Sequence, residues 1–163
     1  MISVTSREFH YLCVDPGSYP EVITWKKASR HETHTFPEET YQKTIDFLLG
    51  YCKGFDFLTV PAPSFHDYAE NYPIYEVAKL VSNDIGLPLR ILFPNRSGKT
   101  KMGWHSSIEK CVQKIDCEPG KFVLVLDDIA TTRNTFRVTS RSIMDCGSFA
   151  CCVAISGNIY GRI

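Results

Sequence analysis

The chain lacks an excess of charge of either sign. Its 18 Lys and Arg residues balance its 18 Asp and Glu residues, so the formal net charge of the 163 residues is zero. Nucleic acids and anionic membranes attract proteins mainly through clustered positive charge. The balance therefore argues against a nucleic-acid partner and against binding to a membrane surface.

Long apolar segments and zinc-type cysteine pairs are also missing. No apolar run approaches the roughly 20 residues of a membrane span, and the first ten residues, MISVTSREFH, show no secretory hydrophobic region. The seven cysteines include no CxxC pair, and Cys111 and Cys117 lie six residues apart. Because several cysteines lie in apolar stretches such as FACCVAI, we expect reduced, buried thiols in a cytoplasmic protein.

What the chain does contain is an alternation of strand-like and helix-like segments. Short apolar runs predict strands at 55–60, 89–93, 122–126 and 149–155. Between them, apolar residues at helical spacing predict helices that begin near Pro37, Pro73, Ser106 and Thr135, of which three end near Gly54, Gly86 and Gly147. Such alternation predicts an α/β protein, with an open parallel sheet flanked by helices.

Residues 1–34 do not follow this alternation. They contain two short strand-like stretches, 11–14 and 22–25, and then the polar stretch SRHETH. The chain has no linker and is short enough for one core. We therefore predict a single domain over 1–163, with an irregular segment at 1–34 and a core at 36–156.

The stretch KFVLVLDDIATTRNT combines a buried strand with polar chemistry. Asp127 and Asp128 come directly after the apolar run, and Thr131, Thr132 and Thr135 follow at the start of a helix. Ligands of open α/β sheets bind at the carboxyl ends of the strands, and helix starts bind anions. The carboxylates could accept hydrogen bonds from ribose hydroxyls or hold a metal through water. The alternatives are a solvated acidic turn and simple helix capping.

Segment 123–135 resembles the signature of the type I phosphoribosyltransferases, in which an apolar strand, an acidic pair and a TTGxT turn bind phosphoribosyl pyrophosphate (PRPP). The resemblance implies that Asp127 and Asp128 are catalytic, hold the ribose hydroxyls and contact Mg²⁺ through water. It also implies that the 5′-phosphate of PRPP lies in the turn that contains Thr131, Thr132, Arg133, Asn134 and Thr135.

A second segment resembles the pyrophosphate loop of the same family. Pro61, Ala62, Pro63 and Ser64 match this loop, most closely in the branch similar to the competence protein ComF. In that branch a polar run containing an Asn follows before a helix, and Asn71 matches that Asn. The resemblance implies that this loop binds the pyrophosphate group of PRPP.

A third segment, residues 94–104, is predicted to be a mobile basic loop. In the family a segment near this place closes over the reacting centre. The resemblance implies that Arg96, Lys99 and Lys101 neutralise the pyrophosphate as it leaves, with Lys99 and Lys101 counted as catalytic. An ordinary solvated basic loop is the alternative interpretation.

One position departs from the family pattern, because Arg133 stands where glycine is usual. Glycine permits unusual backbone angles and close approach of a phosphate, whereas arginine adds bulk and a possible charge-assisted contact. Two hypotheses follow. The first is a PRPP-dependent, Mg²⁺-dependent pentosyltransferase of nucleotide metabolism that acts on a nitrogenous acceptor and releases pyrophosphate. The second is a non-catalytic PRPP- or nucleotide-binding protein, either regulatory or related to DNA uptake as ComF is.

The acceptor is not specified by these residues. The resemblance places acceptor recognition in a variable hood, here 1–34 with a contribution from 157–163. Aromatic residues in the hood could stack on a base, but purine, pyrimidine and other acceptors all stay open. The resemblance also allows a homodimer.

Overall fold

The computed structural model describes residues 2–5, 10–61, 69–94, 114–130 and 134–157. Within them, none of the helices is long and apolar enough to cross a membrane. The strands are β1 (Ile2–Thr5), β2 (His10–Cys13), β3 (Phe57–Thr59), β4 (Phe122–Ala130) and β5 (Phe149–Gly157), and the α-helices are α1 (Tyr19–Ala28), α2 (Glu38–Tyr51), α3 (Pro73–Ile85) and α4 (Asn134–Asp145).

The strands form one sheet in the order β1-β2-β5-β4-β3. The β1–β2 pair is antiparallel, and the three other pairs are parallel. The predicted strand at 89–93 is reduced to a single bridge at Leu89, where Leu58 N–H donates to Pro88 O at 2.7 Å and Arg90 N–H donates to Leu58 O at 2.9 Å. The predicted parallel sheet flanked by helices is confirmed.

The core lies on both faces of this sheet. On β4, Leu124 and Leu126 pack into a cluster with residues of α1, α2 and α3, while Val123 and Val125 pack into a second cluster with residues of α4. Side chains of a strand alternate between faces, so a strand covered on both sides is apolar at nearly every position. The run FVLVL is therefore apolar at every position and does not alternate between apolar and polar residues.

Local signals set the helix boundaries. Pro73 occupies the first turn of α3, and Gly86 ends it in the left-handed conformation with φ of 71°. Helices α2 and α4 also lie where the sequence predicts them, and Gly147 follows α4 with φ of 82°. The helix predicted from Ser106 lies outside the described residues.

The N-terminal segment differs from the prediction. Its strand β2 lies in the parallel part of the sheet, with Leu12 opposite Val153 of β5. The strand predicted at 22–25 is wrong, because these residues belong to α1. Val22 and Trp25 are three residues apart and both buried, which places them on one helical face. A four-residue apolar run is too short to distinguish the two periodicities, and whether the segment acts as a hood stays a prediction.

Candidate active site

The acidic pair lies inside β4 and not after it. The predicted end of the strand at Leu126 is wrong, since the strand continues to Ala130. Asp127 lies opposite Ala154 and Ile129 lies opposite Ser156, so the ladder with β5 persists beyond the aspartates. Carboxylates are rare within buried strands, and the sequence pattern therefore ended the strand too early.

Each aspartate is fixed by a backbone amide. Asp127 Oδ1 accepts from the N–H of Asp128 at 2.8 Å, and Asp128 Oδ1 accepts from the N–H of Ile129 at 2.6 Å. Aspartate side chains often bond to nearby backbone in this way. Because both contacts are local, they orient the two carboxylates before any ligand arrives.

The third member of the site comes from α1. Lys26 Nζ donates to Asp128 Oδ1 at 2.7 Å, and the Asp128 side chain is only 1% exposed. Burial lowers the pKa of Lys26, but the charges of Asp128 and Asp127 outweigh this effect and hold that pKa above its usual range. The sequence analysis missed Lys26 because it is 102 residues away from Asp128 and its helix was predicted as a strand. No local signal could have found it.

One buried oxygen of Asp128 has no hydrogen-bond partner among the described residues. Asp128 Oδ2 is buried and accepts no hydrogen bond from the residues that the structure describes. An unsatisfied buried carboxylate oxygen is costly, so native proteins keep few of them. A ligand hydroxyl that donates to Oδ2 would remove this cost.

The two aspartates differ in their environment. Burial and the negative charge of Asp128 raise the pKa of Asp127 to about 7, while Lys26 and the backbone N–H of Asp128 act in the opposite direction. The protonated form of Asp127 therefore persists to a higher pH than that of a free aspartate. Carboxylates perturbed by burial and by a specific charged neighbour are frequent at functional sites.

Two further predicted segments reach the same edge of the sheet. The half-buried Asn134 and Thr135 begin α4 shortly after β4 ends. Pro61 is buried two residues after β3, whose Thr59 lies opposite Val125. Asn71 ends a short 3-10 helix, Ala69–Asn71, that precedes α3. The remaining predicted site residues lie outside the described residues: Ala62, Pro63, Ser64, Arg96, Lys99, Lys101, Thr131, Thr132 and Arg133.

The described residues do not form a metal cage. Among them, no group of three or more His, Cys, Asp or Glu side chains is placed to hold a metal ion. The carboxylates of Asp127 and Asp128 are hard oxygen donors of the kind that Mg²⁺ prefers, but Asp128 Oδ1 already receives two hydrogen bonds. The pair therefore offers few free oxygens to a metal, and a Mg²⁺ ion at the site would be bound mainly by substrate oxygens and water.

A separate cavity of about 510 Å³ lies along α1. Its lining includes Pro20, Trp25 and Thr35 but neither aspartate, and its two ionisable residues, Glu21 and His34, are exposed. It contains no buried charged group, so we place the candidate site at the aspartates.

Comparison with solved structures supports the architecture. An adenine phosphoribosyltransferase matches with a TM-score of 0.50 at 11% identity, over 76% of this chain and 73% of that one. The chain has the type I phosphoribosyltransferase fold. An orotate phosphoribosyltransferase from Aeropyrum pernix matches with a TM-score of 0.44 at 16% identity, over 74% of this chain and 73% of that one.

The adenine phosphoribosyltransferase of Saccharomyces cerevisiae, complexed with D-2,5-dideoxy-2,5-imino-altritol 1,6-bisphosphate and adenine, matches with a TM-score of 0.47. The identity is 10%, over 72% of this chain and 68% of that one. No protein-family model matches the sequence, and no curated protein was found to be similar to it. Similarity at these identities establishes the phosphoribosyltransferase fold and leaves the activity to be proposed, because one fold hosts many functions.

Proposed function

We propose that the protein is a pentosyltransferase that uses PRPP and Mg²⁺ to transfer a 5-phosphoribosyl group to a nitrogenous acceptor, with release of pyrophosphate. The observation that supports this most is Asp128, a buried carboxylate at the carboxyl end of a parallel strand. One of its oxygens is held by Lys26 and a backbone amide, and the other has no partner among the described residues. That arrangement suits a hydroxyl group of a bound ribose.

The residues of the acidic pair suit the charge changes of this reaction. Breaking the bond at the anomeric carbon of PRPP builds positive charge on the ribose ring and negative charge on pyrophosphate. Asp127 and Asp128 would favour the positive ring electrostatically, and a hydrogen bond to Asp128 Oδ2 would position the reacting carbon. Mg²⁺ bound to substrate oxygens would offset the charge of the leaving group.

Other segments would hold the phosphates of PRPP. Asn134 and Thr135 form the N-terminus of α4, where backbone N–H groups favour an anion, so residues 131–135 would hold the 5′-phosphate. In the same proposal, the loop that starts at Pro61 binds pyrophosphate, and Lys99 and Lys101 neutralise it as it leaves. These assignments extend the resemblance of the sequence to residues outside the described part of the chain.

The acceptor class and the setting are also proposals. One of the similar solved structures is an adenine phosphoribosyltransferase, so a nitrogenous base is the first acceptor to test. We further propose a cytoplasmic protein of nucleotide metabolism that forms a homodimer.

The direct test is pyrophosphate release from PRPP and Mg²⁺ with a panel of purine and pyrimidine bases. We expect release that requires an added base, and a loss of about 100-fold in kcat/KM for Asp128→Asn, because the ribose contact and the charge are both removed. Asp145→Asn, which alters an exposed aspartate at the end of α4, is the matched control and should retain wild-type activity. Absence of release with every base would contradict the transferase proposal.

A second candidate function is a non-catalytic PRPP- or nucleotide-binding protein, regulatory or ComF-like. The ion pair between Lys26 and Asp128 favours it, because the positive charge of Lys26 offsets the negative charge with which Asp128 would stabilise the ribose ring in an enzyme. Arg133 in place of the usual glycine points the same way. Thermal stabilisation by PRPP without pyrophosphate release from any base would support this candidate.

A further inference from the structure

An ammonium group lies where an acidic pair would otherwise attract a metal ion. Lys26 Nζ is 2.7 Å from Asp128 Oδ1, and the side chain of Lys26 is only 22% exposed. An ammonium group has three donors and no acceptor, so it can satisfy carboxylates but cannot coordinate a metal. The contact therefore gives Asp128 a positively charged partner that belongs to the protein itself.

Helix α1 holds this charge in place. Val22, one turn before Lys26, is fully buried, and Trp25 is 6% exposed. The indole N–H of Trp25 donates to the backbone oxygen of His34 at 3.0 Å, which ties α1 to the segment after it. Moving Lys26 away from Asp128 would require this packing to shift or the lysine stem to change its rotamer.

The local charges are nearly balanced without a metal. Among the described residues, the charges that act on Lys26 are those of Asp128 and Asp127, both attractive, and that of Arg30, which is repulsive and lies two residues beyond the end of α1. A divalent cation at the carboxylates would lie within a few ångströms of the Lys26 ammonium group. Charges of like sign at such a distance repel strongly in a site shielded from water.

The remaining acceptor suits a neutral donor. Asp128 Oδ2 is buried and has no hydrogen-bond partner within the described ranges, and Oδ1 is already bonded to Lys26 and to Ile129 N–H. A sugar hydroxyl can donate to Oδ2 without bringing a charge into the site. We propose, on the basis of the proposed function, that Lys26 determines which ligands the acidic pair binds. Its ammonium group takes the place of a metal ion, so Asp128 binds a ribose hydroxyl and no divalent cation.

The first test starts from the wild-type protein and uses Asp128→Asn to locate any metal site that it shows. We would titrate it with Mn²⁺ alone, following free Mn²⁺ by electron paramagnetic resonance, and with ribose 5-phosphate by calorimetry in EDTA and in Mg²⁺. We expect no Mn²⁺ site at the acidic pair, and the same affinity for ribose 5-phosphate in both buffers. A Mn²⁺ site in the wild type that Asp128→Asn abolishes would overturn the proposal.

The second test removes the ammonium group. Lys26→Met should gain a Mn²⁺ site and lose it again when combined with Asp128→Asn. It should also bind ribose 5-phosphate about ten-fold more weakly, because Asp128 loses one of the two contacts that orient it. Lys26→Arg keeps the positive charge and should behave as the wild type. The control is Lys79→Met, since Lys79 is an exposed lysine of α3 that pairs with Glu76 and lies outside the site.

The outcomes separate this inference from the proposed function. A folded Lys26→Met protein that gains no Mn²⁺ site and keeps its sugar affinity would overturn the role of Lys26 while leaving the transferase proposal intact. A wild type that binds neither ribose 5-phosphate nor PRPP would overturn the proposed function, whereas the Mn²⁺ titration would still decide what Lys26 does. If Lys26→Met does not fold, the wild-type titration and Lys26→Arg decide the question.

Discussion

The two ends of β4 differ in which side chains they bury: apolar side chains are exposed at one end, and charged side chains are buried near the other. At its first residue, Phe122 is 50% exposed and stacks at 5.2 Å on Phe149 of β5, which is 59% exposed. Towards its other end, Asp128 is 1% exposed and contacts Lys26. Apolar rings are thus exposed to solvent at the first end of β4, while a charged pair is buried near its carboxyl end.

This difference in burial indicates what each end of β4 contributes to stability and to function. Exposed aromatic residues are common on protein surfaces and cost little, whereas a buried charge is costly unless it is paired. A chain selected only for stability would have an apolar residue at position 128, since a well-packed apolar group is often as stable as a buried ion pair. We therefore propose that the charged end of β4 is the end where a function offsets this cost.

The largest effect should come from leaving Asp128 unpaired. Lys26→Met removes the ammonium partner of a carboxylate that stays buried, and breaking such a pair costs about 3 kcal/mol of unfolding free energy. Urea denaturation monitored by circular dichroism would measure the loss. Lys79→Met, at an exposed ion pair, should change the unfolding free energy by less than about 0.5 kcal/mol.

A double variant then tests the cause. Lys26→Met combined with Asp128→Asn should recover much of the lost stability, because neither charge remains buried without its partner. A loss that stays at full size in the double variant would mean that Lys26 stabilises α1 by packing alone. The contrast between the two edges of β4 would then not rest on charge.

Most of the fold was predictable because its signals are local. Helix α3 was predicted within its bounds, since Pro73 and Gly86 punctuate it and its apolar residues keep a helical period. The strand at β5 was predicted from a continuous apolar run. Helix α1 was not predicted, because the run VITW fits the helical and the strand period equally well. The nearest residue that signals a helix start, Pro20, precedes this run by two residues.

The site was predictable only in part. Asp127 and Asp128 directly follow a buried apolar run, so their place near the carboxyl end of a strand follows from the sequence, although the strand continues past them to Ala130. The partner of Asp128 does not, because Lys26 reaches it by the packing of α1 against the sheet, and no spacing along the chain records that contact. The unpaired oxygen of Asp128 is likewise a product of tertiary packing, which a sequence pattern cannot express.

An intermediate effect should appear as a dependence of stability on pH. Burial and the charge of Asp128 raise the pKa of Asp127 from 3.8 to about 7. Between these two pH values, the folded state holds a proton that the unfolded chain has lost. The contribution of this proton to stability is fully present below about pH 4 and is lost as the pH rises through 7. We expect the wild type to lose about 2 kcal/mol between pH 5 and pH 8 relative to Asp127→Asn.

Urea denaturation of both proteins at several pH values would measure this difference. Asp127→Asn keeps the shape of the side chain without an ionisable group, so its own pH profile supplies the background from all other groups. Parallel profiles for the two proteins would show that Asp127 is ionised throughout this range, and the two carboxylates would then be equivalent in charge.

The smallest effect should come from the aromatic edge. Phe149→Ala removes the stacking partner of Phe122, and an exposed aromatic pair of this kind contributes about 0.5–1 kcal/mol. The pair lies at the start of β4 and β5, at the opposite end from the aspartates. The affinity for PRPP should therefore equal that of the wild type, and no Mn²⁺ site should appear. Denaturation and calorimetry on the same preparation would test both statements. A Phe149→Ala protein with wild-type stability but weakened PRPP binding would show that the two edges are coupled through β4, and the division into a stabilising edge and a functional edge would fail.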